Sequence, residues 1–451
     1  MARAGALPAA RRLDPGAILI AVLAILLVLA FAWQCPSAAP GLGALGIVAV
    51  ALALILPVVG RVVLIAALST LILLPQVEAG VQAFDGVPLL IAGLAIVLAI
   101  VRGERAEWNV TLPGWLALGW LAAPLIAVPF VVVSMASFLA SYKNHVLWAF
   151  LFHGLRRVVP RAQSHALLAV FPILGTAAAV QLLLKTQGLG AFLFDRMSFR
   201  NFYTRLAWGQ SDFISAVIEF CICGTVLLFF VVRRTWIRVL LAGAILVMLN
   251  AFLILFSRAG VISLALFALI VAMGLGGRKG WLALGGTLLA AAGAALSTAG
   301  GQTTAGRFTD PHEVGSVVYR LVIWSVAWGR VVLHPWTGTG LNQGKYQHDL
   351  QGAEWASNFL LDVLIESGVL GGIVFVAILV GLFVVASRIR PHGWSGSPRP
   401  VRAVAVACLV QALAHGSVES TLVGPPMTVP FVYFMAWLLL QDERDPAAVP
   451  R

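Results

Sequence analysis

Long apolar runs follow one another from one end of the chain to the other, broken by short polar or Gly- and Pro-bearing joints. They read as spans at about 16–34, 42–58, 62–76, 87–101, 114–139, 144–158, 164–183, 211–232, 236–257, 260–275, 280–296, 358–386, 402–416 and 427–441. Runs of roughly 17 to 25 apolar residues suit helices that cross the hydrocarbon core. Their apolar residues are contiguous rather than alternating, which excludes the strands of a membrane barrel. Lipid offers a backbone group no hydrogen-bond partner, so each run must satisfy its own groups as a helix. The run 144–158 is short enough to be re-entrant. The prediction is therefore an all-α, polytopic integral membrane protein with about 12–14 transmembrane helices.

The pattern breaks between Ser297 and Ser357, a long polar and aromatic stretch that reads as one large loop. It holds Tyr319-Arg320-Leu321-Val322-Ile323-Trp324, then His334-Pro335-Trp336-Thr337-Gly338-Thr339-Gly340, then His348-Asp349, and it leads into Asn358 to Gly368. Within it, 314–333 is as long and apolar as a span but contains Arg320 and Arg330. An arginine deep in lipid is costly, so an interfacial or loop-packed helix is expected.

Composition agrees with burial in lipid: 61% of the 451 residues are hydrophobic and 11% charged, against about a quarter charged in soluble domains. The net charge of +12 is a topological signal rather than a nucleic-acid one. With both termini cytoplasmic, 20 of the 30 Lys and Arg residues fall in inside segments, as the positive-inside rule requires. The connections near 36–41, 77–86 and 417–426 carry none. Eight of the remaining ten lie in two outer loops, 184–210 and 297–357. Basic charge there opposes the topogenic bias, and a negatively charged substrate on that face is the simplest reason for it. Cys35, Cys221, Cys223 and Cys408 lack metal-ligand spacing and read as small buried hydrophobes. Arg11-Arg12 before an apolar run resembles a signal peptide, but the spans that follow favour an uncleaved first helix.

Among candidate functional residues, Arg258 in Phe256-Ser257-Arg258-Ala259-Gly260 is either a snorkelling arginine or a bidentate grip on phosphate oxygens. Arg320 lies between Tyr319 and Trp324, where aromatic rings can stack on its guanidinium. Arg200 and Arg205 form a second basic and aromatic cluster. His348 and Glu354 are candidate bases. Asn358, Asp362 and Glu366, four apart, share one helix face. Asp362 also suits the helix dipole, and Glu219 is an intramembrane carboxylate with either a functional or a packing role. Gly340 to Lys345 fails as a P-loop, because Tyr346 stands where Ser or Thr is required. No metal site and no cofactor is expected.

Ser257-Arg258-Ala259-Gly260, Tyr319-Arg320-x-x-x-Trp324, Pro335, Gly338-x-Gly340, the Asn-x-x-Leu segment at Asn358 and Glu366-Ser367-Gly368-Val369-Leu370-Gly371 together resemble the O-antigen ligase and O-antigen polymerase superfamily of bacterial inner-membrane glycosyltransferases. The resemblance covers 211–386, between N-terminal spans (1–210) and C-terminal spans (387–451). It implies a metal-independent transfer of glycan from undecaprenyl diphosphate to an acceptor hydroxyl, on lipid A-core or another glycan, at the periplasmic face. It also implies that Arg258 and Arg320 hold the diphosphate, and that a loop histidine acts near the acceptor. The family has His-Asn where this chain has Ser357-Asn358, so the base would be His348 or Glu354, or the chain is inactive. A transporter or flippase of lipid-linked sugars is the rival reading. Transporters tend to show inverted repeats and broken spans at matching places, and no clear repeat is visible. The expected partners are the lipid-linked donor, the acceptor and the bilayer, with no nucleic acid.

Overall fold

The computed structural model describes residues 56–74, 76–78, 81–101, 112–131, 134–185, 206, 211–255, 257–278, 280–282, 285–286, 314–343, 356, 358–390, 398–419 and 425–442. The predicted span at 16–34, and most of those at 42–58 and 280–296, lie outside them. The protein is all-α and polytopic, apart from a two-stranded antiparallel ribbon, β1 (Gln76–Glu78) with β2 (Val81–Gln82).

The helices are α1 (Val58–Ser69), α2 (Gly86–Val101), α3 (Leu112–Ala122), α4 (Val128–Val131), α5 (Met135–Val158), α6 (Val170–Lys185), α7 (Ser211–Val231), α8 (Thr235–Ile254), α9 (Arg258–Leu275), α10 (Val314–Leu333), α11 (Phe359–Arg388), α12 (Arg399–Gly416) and α13 (Pro425–Asp442). Among the described residues five helical segments are long and apolar enough to cross a membrane: Arg161–Lys185, Phe213–Val231, Thr235–Ile254, Arg258–Leu275 and Phe359–Arg388. Helix α7 is the central one. Its Ile214, Val217, Phe220, Cys221 and Leu227 are fully buried, and α6, α8, α12 and α13 pack around it.

Two span predictions need correction. The run 114–139 is not one helix: Pro124 enters a 3-10 turn at Ala123–Ala127, the short α4 follows, and α5 begins after Ser134, whose side chain caps it. The run 144–158 belongs to that 24-residue helix, which absorbs Tyr142 and Lys143. Lys143 is held there by Asp85 at 2.6 Å.

Helix α10 packs against α11. Its buried face, Ile323, Ala327 and Val331, packs on Leu361, Leu364 and Ile365 of α11. Val318, Leu321, Val322, Trp328 and Val332 on its other faces are exposed.

Candidate functional site

At the start of α9, Ser257 accepts a hydrogen bond from the Gly260 backbone N–H at 3.1 Å, an N-cap. Gly260 must be small, because a Cβ there would stand 2.6 Å from the Phe252 ring and 3.2 Å from Glu219 Oε2. Ser257 and Gly260 thus have local reasons to be what they are. Arg258 takes the first helical position. A cation in the first turn opposes the helix dipole.

Glu219, fully buried on α7, accepts from Ser263 of α9 and lies 2.6 Å from His415 Nδ1 of α12. These bonds tie three helices together. They also define one end of the bundle, because α9 and α12 run antiparallel. The start of α9 lies beside the finish of α12, whereas Gly274 and Ala403 touch at the opposite end. That opposite end gathers Arg399 and Arg402, the latter donating to the Ile389 and Arg388 carbonyls at 2.8 and 3.2 Å.

Just past α12 the helical hydrogen bonding carries on, with the Glu419 N–H on the His415 carbonyl at 3.1 Å. The Glu419 carboxylate pairs with the Arg320 guanidinium. Two residues earlier the Ser417 carbonyl accepts from Asn358 Nδ2 at 2.9 Å. Asn358 also caps α11, its Oδ1 accepting from the Leu360 and Leu361 N–H groups at 3.1 and 3.2 Å. The start of α9, the Arg320–Glu419 pair and the capped start of α11 therefore share one end of the bundle. Arg320 finds a carboxylate partner rather than the aromatic stacking the sequence suggested. Tyr319 beside it is exposed.

Deeper in α11 the helix breaks at Gly368, with φ 62° and ψ −167°. The break frees backbone groups that the loop after α10 takes up. The Ile365 carbonyl accepts from the Thr339 N–H at 2.6 Å and from its hydroxyl at 3.1 Å. The Glu366 carbonyl accepts from the Gly340 N–H at 3.1 Å, and the Val369 N–H donates to the Pro335 carbonyl at 2.7 Å. Gly338, at φ 65°, meets Gly368 backbone to backbone, and a Cβ on either would collide with the other strand of chain. Pro335, Gly338-x-Gly340 and Glu366-Ser367-Gly368 are thus two halves of one joint.

Asp362 and Glu366 serve this framework. Asp362 Oδ1 accepts from the Ala356 N–H at 2.8 Å. Glu366 Oε1 accepts from the N–H of Asn342 at 3.0 Å, a residue with φ 55°. The loop is also tied to α5: Asn342 donates to Ser137 Oγ at 3.1 Å. Gln343 and the Ser134 backbone exchange two bonds, at 2.9 and 3.1 Å. His348, Glu354, Arg200, Arg205 and Ser357 lie outside the described residues.

Sequence reasoning missed His415 and Glu419. The usable signals were a histidine in an otherwise apolar run and an acid in a connection free of basic residues. Among the described residues no group of three or more His, Cys, Asp or Glu side chains could hold a metal ion.

These features define a multi-pass membrane protein with a polar site at one end of its helices. Residues 243–376 match the family model described as O-Antigen ligase, which supports a likeness of this segment to the O-antigen ligase/polymerase superfamily and a role in cell-surface glycan biosynthesis. The match includes Arg258, Arg320, Asn358, Asp362 and Glu366, and leaves out Glu219, His415 and Glu419. No curated protein matches the chain.

Proposed function

We propose that the protein transfers glycan from undecaprenyl diphosphate to an acceptor hydroxyl at the periplasmic face of the bacterial inner membrane. Arg258 and Arg320 hold the donor diphosphate, and Arg200 and Arg205 of the other outer loop add to the same positive field. The observation that carries this reading is the placement of Arg258 and Arg320 at one end of the bundle, inside the O-antigen ligase segment. Arg258 stands at a helix start where the dipole does not favour it, and Arg320 already grips an anionic group. Fixed guanidinium groups in a partly dehydrated site stabilise the charge that builds on a leaving diphosphate.

A transporter would keep the break in α11 open to its cargo, as broken helices in transporters do. In this protein the freed backbone groups are bound by residues 335–340 of the same chain, which favours an enzyme. The test is glycan transfer in membranes supplied with undecaprenyl-diphosphate-linked glycan. Arg258→Ala and Arg320→Ala should each abolish transfer at unchanged expression. Full activity in both variants would remove the diphosphate site. A deletion strain then separates the acceptors: unattached long chains mean ligation, and single repeats on the acceptor mean polymerisation.

A further inference from the structure

We propose that Glu419 is the general base of this transfer, switched on by the donor itself. The proposal rests on the reading of Arg320 as a diphosphate ligand. An acceptor hydroxyl attacks only as it loses its proton, so a proton acceptor must stand beside the leaving diphosphate. Glu419 is a carboxylate on Arg320, in a turn that Asn358 fastens to the start of α11 through Ser417. Its side chain is 11% exposed and that of Arg320 29%, so the pair is sheltered yet open on one side.

Two anions then compete for one guanidinium. Without donor, Arg320 neutralises Glu419 and holds it a poor base. A diphosphate that takes over Arg320 leaves the carboxylate without that cation and beside new negative charge, and both changes raise its proton affinity. Glu419 becomes basic where and when the donor is bound. A resting enzyme therefore keeps no strong base facing water.

The step balances. The acceptor oxygen forms a bond to the anomeric carbon, and the bond from that carbon to the diphosphate oxygen breaks, its electron pair leaving with the diphosphate. The acceptor proton passes to a Glu419 oxygen. When the diphosphate departs, Arg320 returns to Glu419 and the proton goes to water.

Full-length wild type, Glu419→Gln, Glu419→Asp and Arg320→Ala are reconstituted in proteoliposomes. They are given undecaprenyl-diphosphate-linked glycan alone or with lipid A-core, and donor retention is read separately from product. Glu419→Gln should hold donor at least as well as wild type while product formation falls by roughly 100- to 10,000-fold. Glu419→Asp should keep a measurable fraction. Product from Glu419→Gln within about threefold of wild type would overturn the proposal. So would a loss of donor retention matching that of Arg320→Ala, because Glu419 would then only position the arginine. If Glu419→Gln does not insert, Glu419→Ala with added formate takes its place: restored product supports the base, and no restoration overturns it. Undiminished donor retention in Arg320→Ala removes the diphosphate reading and the base with it. Impaired retention there, with normal turnover in Glu419→Gln, removes the base alone.

Discussion

Substituting Gly368 by Ala loads the joint between α11 and the loop at its tightest point. The backbone at φ 62°, ψ −167° lies in a region open almost only to glycine, and another residue there costs about 1–3 kcal/mol. The added Cβ would also run into the Trp336 carbonyl and stand 2.7 Å from the Gly338 nitrogen. Neither is the end of a flexible side chain, so the loop itself must move. Its movement strains the bonds from Thr339 to Ile365, from Gly340 to Glu366 and from Val369 to Pro335. A buried polar group left without a partner costs about 1–3 kcal/mol. Loss of all three bonds would bring the total to roughly 4–12 kcal/mol, comparable with the whole stability of many domains. Cys221, Cys223 and Cys408 are free and buried, so a thiol-reactive fluorophore reports unfolding of the detergent-purified protein on heating. Gly381→Ala is the control: it lies on the same helix, and a Cβ there meets nothing within 4 Å. That change should be neutral or gain about 0.5–1 kcal/mol. Gly368→Ala should melt well below the control and lose transfer. Equal melting and equal transfer in the two variants would refute the account of the joint.

Two further substitutions probe the same end of the bundle. Glu219→Ala strips Ser263 and His415 of their shared acceptor. It should destabilise by about 3–5 kcal/mol, as expected for breaking a buried pair, with Glu219→Gln milder in the same melting assay. Asn358→Asp keeps the cap on Leu360 and Leu361 but can no longer donate to the Ser417 carbonyl. Melting should stay within about 1 kcal/mol of wild type while transfer falls, whereas Asn358→Ala should lose both.

The helices of this fold were legible because contiguous apolar runs leave the backbone few alternatives in lipid. Their ends were less so. Ser134 interrupts the run 114–139 because its side chain offers a cap and its backbone is bound by Gln343, a partner more than two hundred residues away. Glu219 was visible as an anomaly, but His415 turns that anomaly into a packing tie, and only the folded bundle brings them together. Gly338 and Gly368 looked like separate motif glycines, and the structure explains both by one contact. The carboxylate on Arg320 was hidden for a related reason. Glu419 is 99 residues from Arg320 and outside the segment that carries the family motifs.

The bonds between α5 and the loop also set a schedule for biosynthesis. Ser134 leaves the ribosome 209 residues ahead of Gln343. At about 5–20 residues per second the wait is roughly 10–40 s. Through that interval the Ser134 backbone at the head of α5 waits for the side chain that binds it, although Asp85, the partner of Lys143, has already been made.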